Sequence, residues 1–136
     1  MPRLTGAALS LACLAACATP APPSAGFRAV GVPIYSNATM DPAVLAGVWQ
    51  QAATFGAACT PGRVEIGSDL RLSGRLCLDG RVVPVSGVLR AVGPGRVQLS
   101  GADPGGIGAP WWVLWIDSGA RTLAIGTPSG IFGFVL

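Results

Sequence analysis

The chain has no histidine and only one glutamate, Glu65, and charged residues make up 11% of its 136 residues. General acid–base and nucleophilic catalysis both need grouped titratable or nucleophilic side chains. Asp69, Asp79 and Asp117 all fall at predicted turns, where local capping accounts for them. We therefore predict that the protein is not an enzyme, and the residues indicate no metal site and no cofactor.

Lysine is also absent, so all nine basic residues are arginines. They are scattered singly along the chain, whereas phosphate binding needs a dense basic patch or stripe. The net charge of +3 in this pattern is typical of solvated arginines between strands. We expect no nucleic acid partner.

The chain also lacks a hydrophobic run long enough to span a bilayer, because its longest apolar stretch, residues 4–14, is too short. That stretch follows Arg3 and precedes small residues, which is typical of a secretory signal. Leu14-Ala15-Ala16-Cys17 resembles the lipobox of bacterial lipoproteins, where a diacylglycerol is attached to the cysteine. We predict a signal peptide over residues 1–16 and a lipid on Cys17, with an ordinary signal cut at a nearby alanine as the alternative. By resemblance, Ala18 directs the protein to the outer membrane, facing the periplasm.

Residues 17–30 are rich in alanine, proline and serine and predict an extended tether, which leaves residues 31–136 as one domain. Cys59 and Cys77 are an even pair in an oxidising compartment, so we predict a disulfide between them. The chain has no C-x-x-C redox motif.

The domain shows no sustained helical period, while short apolar runs bounded by glycine and proline recur about every ten residues. A short helical turn is predicted before them, with Asp41 as N-cap, Pro42 at the first position and Gly47 at the stop. Strands are predicted over residues 48–55, 63–66, 70–78, 82–91, 96–100, 111–117, 122–125 and 131–136. This is an all-β pattern, and it predicts an eight-stranded antiparallel up-and-down β-barrel, either packed solid or holding one small ligand.

The last strands lose the alternation of apolar and polar residues that the middle strands show. Residues 111–116 and 131–136 are apolar on both faces, so we predict that something covers the outer face there. Three candidates are the amino-terminal arm (residues 27–45), a second copy of the chain in a homodimer, and the membrane itself.

Both ends of the domain resemble bacterial lipocalins. Residues 33–35 and 45–53 are similar to the entry segment of that family, with Gly47 and Trp49 at its G-x-W motif, and residues 111–136 are similar to its last three strands. The resemblance implies a structural role for Gly47 and Trp49 at the base of the barrel. It places Asp117 and Arg121 at the turn before the seventh strand, although Ala120 replaces the usual tyrosine. The family's arginine that stacks on the G-x-W tryptophan follows the last strand and is not found up to Leu136. Two alternatives are open: the sequence is short at this end, or Arg28 or another arginine takes that place.

Two functions remain open. The lipocalin resemblance implies an apolar ligand, a fatty acid or lysophospholipid, inside or at the mouth of the barrel. Trp111, Trp112 and Trp115 are the candidate ligand-binding residues, because alternate ones would face inward; plain packing is the competing interpretation. The second function is inhibition of an enzyme, because the A-G-x-W motif followed by two cysteines is similar to envelope protease inhibitors, and residues 118–121 are similar to a lysozyme-inhibitor loop.

Overall fold

The computed structural model of the protein describes residues 27–136, which form nine strands and almost no helix. The strands are β1 (Gly47–Gln50), β2 (Ala53–Thr54), β3 (Arg63–Ile66), β4 (Arg71–Leu78), β5 (Arg81–Gly93), β6 (Arg96–Leu99), β7 (Trp111–Ile116), β8 (Leu123–Gly126) and β9 (Gly133–Val135). The all-β prediction is confirmed, and most strand ends differ from the predicted ones by the one or two residues that are usual for such boundaries.

A single 3₁₀ turn, Pro42–Leu45, precedes β1. The carboxylate of Asp41 accepts a hydrogen bond from the backbone N–H of Ala43 at 2.9 Å, and Pro42 stands at the first helical position. This confirms the predicted helical turn and its cap.

The sheet is antiparallel, and its strands run in the order β1, β3, β4, β5, β6, β7, β8, β9, β2. From β3 to β9 each strand pairs with the next one in the chain, because the connections are turns such as Asp79–Gly80 and Pro94–Gly95. The up-and-down arrangement is therefore confirmed, and the sheet curls as part of a barrel.

The predicted strand over residues 48–55 is divided, so the count of eight strands is wrong. Its first half, β1, pairs with β3, and its second half, β2, pairs with β9 at the far edge of the sheet. Gln51 donates its backbone N–H to the carbonyl of Gly62 at 2.8 Å, and Ala52 donates to the carbonyl of Val135 at 2.8 Å. Successive N–H groups of a strand point to opposite sides, so the segment changes partner between these two residues. Within residues 27–136 no ladder joins β1 to β2, so a closed barrel is not observed.

The concave side of the sheet holds one apolar core. Its buried members are Leu45, Trp49, Val64, Ile66, Leu72, Leu76, Val85, Leu89, Val97, Leu99, Trp111, Val113, Leu123, Ile125, Phe132, Phe134 and Leu136. Every strand except the two-residue β2 contributes to this cluster, which is how one continuous core forms beneath a curled sheet.

The amino-terminal arm runs along the outside of the sheet. The N–H of Phe27 donates to the carbonyl of Gly130 at 2.8 Å, and the N–H of Asn37 donates to the carbonyl of Val113 at 2.7 Å. The predicted tether, residues 17–30, thus overlaps this arm in its last four residues, while its earlier part lies outside the described residues. The arm is one of the three covers that the sequence predicts for this face.

Candidate functional site

The interior of the curled sheet is filled by aromatic side chains. Trp111 packs edge-on against Phe134 with ring centroids 5.3 Å apart and against Phe132 at 6.4 Å, and the two phenylalanines stack on each other at 6.0 Å. The indole N–H of Trp111 donates to the carbonyl of Ile107 at 2.7 Å, so its one polar atom is satisfied inside the protein. Trp111 is therefore a core residue in this structure.

The other two candidate tryptophans lie on the outside of the sheet. Trp112 is half-buried beneath the guanidinium of Arg96, whose central carbon lies 3.9 Å from the ring centroid. Simple alternation places Trp115 on the same face as Trp111, and this is wrong, because the pairing of β7 with β8 shifts between Val113 and Trp115. The extra residue turns Trp115 outward, where 53% of it is exposed. The structure does not bring the three indoles together.

The G-x-W residues lie at the base of the core. The indole N–H of Trp49 donates to the carbonyl of Leu45 at 2.7 Å, which ties the 3₁₀ turn to β1. Gly47 has φ of +147°, in the region that favours glycine, and its α-carbon faces the same indole. Among the residues described, the arginine–indole stack is made by Arg96 on Trp112, and Arg28 lies elsewhere.

Asp117 organises the turn between β7 and β8. One carboxylate oxygen accepts from the N–H groups of Arg121 and Thr122, both at 2.6 Å, and the other accepts from Gly119 at 3.1 Å. The guanidinium of Arg121 lies 3.5 Å from the same carboxylate, and 84% of its side chain is exposed. The hydrogen bonds from Thr122 and Arg121 lower the pKa of Asp117 below 3.8, against an opposing effect of desolvation. Both residues therefore act on the turn itself.

A disulfide joins Cys59, in the connection between β2 and β3, to Cys77 in β4, with the α-carbons 5.6 Å apart. The predicted pairing is confirmed. Gln51 lies beside it, and only 3% of this residue is exposed. Its amide oxygen accepts from the N–H groups of Gly62 and Cys77 at 2.9 and 2.7 Å, and its amide nitrogen donates to the carbonyl of Cys77 at 2.8 Å.

An apolar groove of about 240 Å³ lies between the amino-terminal arm and the outer face of β7 to β9. Its apolar lining comes from both sides, with Phe27 and Ile34 from the arm and Phe55, Leu114 and Phe132 from the body of the domain. Gly126 and Gly133 have no side chains on this face, so the side chains of Leu114 and Phe55 lie directly over them.

Arg28 is the one charged side chain among the described residues that line this groove. Its guanidinium donates to the backbone carbonyls of Pro128 and Val32. Within residues 27–136 the ion pairs are Arg71 with Asp69 and Arg121 with Asp117, and residues 1–26 contain no acidic side chain. The positive charge of Arg28 is therefore not neutralised by a carboxylate in the part of the chain that the structure describes.

A second groove, of about 260 Å³, lies beside the disulfide. It is lined by Gln51, Ala52, Ala53, Thr54, Gly56, Ala58, Cys59, Pro61 and Cys77. Its polar side chains include Gln51, which already makes three hydrogen bonds to backbone groups. Of these two grooves, the one under the arm is the stronger candidate, because its apolar wall adjoins the charge of Arg28.

The sequence analysis did not identify the groove under the arm as a site. Arg28 and Ile34 stand in an irregular segment with no periodic signal. Leu114 belongs to the run that is apolar on both faces. This loss of alternation indicated the part of the sheet whose outer face lines the groove. In the groove beside the disulfide, Gln51 could have been noticed, since it is a polar residue between the G-x-W motif and an apolar stretch.

Other kinds of site find no support in the part of the chain that is described. Within residues 27–136, histidine, cysteine, aspartate and glutamate form no group of three or more that could hold a metal ion. In the same range no helix is long and apolar enough to cross a membrane. Cys17 lies outside the described residues. Comparisons with protein-family models, with curated proteins and with solved structures return no match.

Proposed function

We propose that the protein is a lipid-anchored envelope lipoprotein that binds a single-chain apolar ligand with an anionic head, of the fatty acid or lysophospholipid class. The observation that carries this proposal is the groove under the arm, where apolar residues from the arm and from the body of the domain share one small space with the charge of Arg28. An acyl chain would lie along the apolar wall, and its head group would pair with the guanidinium.

The location of the site follows from the filled interior. Trp111, Phe132 and Phe134 occupy the space that would hold a ligand inside a barrel. The volume of the groove is below the ~300–1,000 Å³ typical of pockets for drug-sized ligands. A single acyl chain therefore suits the groove better than a two-chain phospholipid or a broad ring system.

A closed, lipocalin-type barrel is part of the same proposal. The hydrogen bond from Trp49 to Leu45 fixes the 3₁₀ turn to β1 at one end of the core, which is consistent with such a barrel. The pairing of β1 with β3 and of β2 with β9 places consecutive segments of the chain on both edges of the sheet. These contacts support a barrel whose seam lies at Gln51 and Ala52.

Ligand titration tests the binding site. We expect the full chain with Cys17→Ser to bind a long-chain fatty acid and to change its tryptophan fluorescence, because Trp115 directly follows the groove residue Leu114. Arg28→Gln removes a charged hydrogen-bond partner of the head group, which is worth about 1.5–3 kcal/mol. We expect it to weaken fatty acid binding about tenfold or more and to leave binding of a neutral monoacylglycerol unchanged.

Arg90→Gln is the matched control, because Arg90 is exposed on β5, which does not contribute to the groove. Equal fatty acid affinity in both variants would contradict a role for Arg28. A fluorescence change that disappears in Trp111→Phe, and not in Trp112→Phe or Trp115→Phe, would place the ligand in the interior.

Acyl labelling tests the anchor separately. In a bacterial host we expect labelled protein in the outer membrane fraction, and Cys17→Ser should remove both the label and the membrane association, because the thioether forms only at this cysteine. Labelling that persists in the variant would contradict the lipobox assignment.

Inhibition of an envelope protease or lysozyme is the second candidate, and the filled interior is the observation that favours it. An inhibitor recognises its enzyme through surface groups and needs no cavity. Absence of fatty acid binding, together with tight binding to a protease or a lysozyme, would select this function.

A further inference from the structure

Four large apolar side chains are exposed at and beside the start of the arm, where the ring of Phe27 lies next to the segment that carries Phe55. The exposed fractions are 42% for Phe27, 68% for Val30, 60% for Val32 and 51% for Phe55. Single exposed apolar residues are ordinary on protein surfaces, but a contiguous group of them marks an interaction site. We call these four residues the apolar end surface.

Local contacts hold the apolar end surface together. The ring of Phe27 lies against Gly56, the residue after Phe55. Arg28 donates to the carbonyl of Val32, and the N–H of Val32 donates to the carbonyl of Ala29 at 3.0 Å, which fixes the turn that carries the two valines. The apolar side chains therefore stand on a defined backbone.

The position of this surface in the chain indicates its partner. Phe27 is the first of the described residues, and its N–H donates to the carbonyl of Gly130 in the connection between β8 and β9. Cys17 precedes Phe27 by so few residues that a fully extended chain between them spans at most about 35 Å. A lipid on Cys17 would keep this end of the domain, and not the end at the 3₁₀ turn, next to the bilayer.

We propose that the apolar end surface docks on the membrane to which the chain is tethered. The aromatic rings and valines enter the interfacial region of the bilayer, where aromatic side chains are favoured. The orientation rests on the proposed lipid anchor, whereas the apolar surface itself does not.

Vesicle binding without the anchor tests the docking. The full chain with Cys17→Ser is mixed with vesicles of phosphatidylethanolamine and phosphatidylglycerol and separated by flotation. We expect binding, and we expect Val30→Ser combined with Val32→Ser to lower the partition coefficient about tenfold, because both valines leave water on docking. Val48→Ser is the control, since Val48 is 54% exposed at the opposite end of the sheet, and it should bind as the parent does.

The two valines do not line the groove, so the test separates docking from ligand binding. The double valine variant should retain its fatty acid affinity. Equal vesicle binding by this variant and by its parent, or no vesicle binding by either, overturns the docking proposal and leaves the ligand proposal intact. A parent that is dimeric without vesicles and becomes monomeric in the double valine variant would show that a second copy occupies this surface, and would also overturn it.

Discussion

The carboxylate of Asp117 accepts hydrogen bonds from the backbone of the turn that it begins. Three N–H groups donate to it, and the turn holds Ala120 at φ of +50°, a conformation that few residues other than glycine adopt. The carboxylate thus stabilises a turn that its own sequence does not favour.

This predicts a stability that depends on pH. The pKa of Asp117 is lowered by folding, so its contribution is complete above the ordinary value of 3.8 and is lost as the pH falls through the folded pKa. The measurement is urea unfolding between pH 2 and pH 6, a range of about two units on either side of the ordinary carboxyl pKa. Asp117→Asn should lower the free energy of unfolding at neutral pH, and this free energy should then fall less steeply as the pH is lowered. An unchanged pH dependence in Asp117→Asn would contradict this role of the carboxylate.

Gln51 shows how a single buried amide can substitute for a strand ladder. Its side chain makes three hydrogen bonds to Gly62 and Cys77 at the point where β1 ends and the chain turns toward β9. These bonds satisfy backbone groups that would otherwise be buried without partners.

We predict that Gln51→Ala lowers the free energy of unfolding by about 3 kcal/mol, since each backbone group left unsatisfied costs about 1–3 kcal/mol. Gln50→Ala is the matched control, because Gln50 is exposed and makes one side-chain hydrogen bond, to the carbonyl of Gly62. It should cost less than about 1 kcal/mol in the same urea titration. Equal effects of the two changes would contradict the role of Gln51 at the seam.

At the scale of elements, the disulfide fastens the connection before β3 to the middle of the sheet. Cys59 and Cys77 are 18 residues apart in sequence, and a cross-link over such a loop is worth about 3 kcal/mol in the chain-entropy model. We predict that replacing both cysteines by alanine lowers stability by about this amount. A reductant should destabilise the parent and leave the double variant unchanged; a reductant effect on the variant would show another cause.

Strands and turns could be predicted from the sequence because each depends on local chemistry. Asp41 and Pro42 cap one turn, and Asp79 with Gly80 makes another. Two features could not be predicted, because they depend on distant partners. The bulge at Leu114 depends on how β7 pairs with β8. The division of the first predicted strand at Gln51 depends on pairing with β9, which lies at the other end of the chain. The site was missed for the same reason, since its walls come from the arm, from β7 and β8 and from the segments that follow β2 and precede β9.

At the scale of the whole molecule, the amino-terminal arm stands where the outer face is most apolar. It is held by backbone hydrogen bonds at Phe27 and Asn37 and by the hydroxyl of Ser36, which donates to the carbonyl of Pro94 at 2.8 Å. Removing it would uncover Leu114 and Phe55 on the sheet surface.

We predict that deletion of residues 27–36 raises the fluorescence of a hydrophobic dye and removes fatty acid binding, because the groove loses one wall. The strand content in circular dichroism should stay the same, since no strand is deleted. Unchanged dye fluorescence in a folded variant would show that a second copy of the chain, or another partner, covers this face. Phe134→Arg is not a clean test of that alternative, because Phe134 is only 1% exposed in the core.

The change of strand partner between Gln51 and Ala52 also determines the order in which the strands can pair during folding. β2 emerges from the ribosome long before β9 exists, yet Ala53 pairs with Val135. An early segment must therefore remain unpaired while most of the chain is still being made, and the last strand to arrive completes the assembly. Contacts of this sequence separation make folding slow, so a chain that stalls near β9 during synthesis would present an open sheet edge to its neighbours.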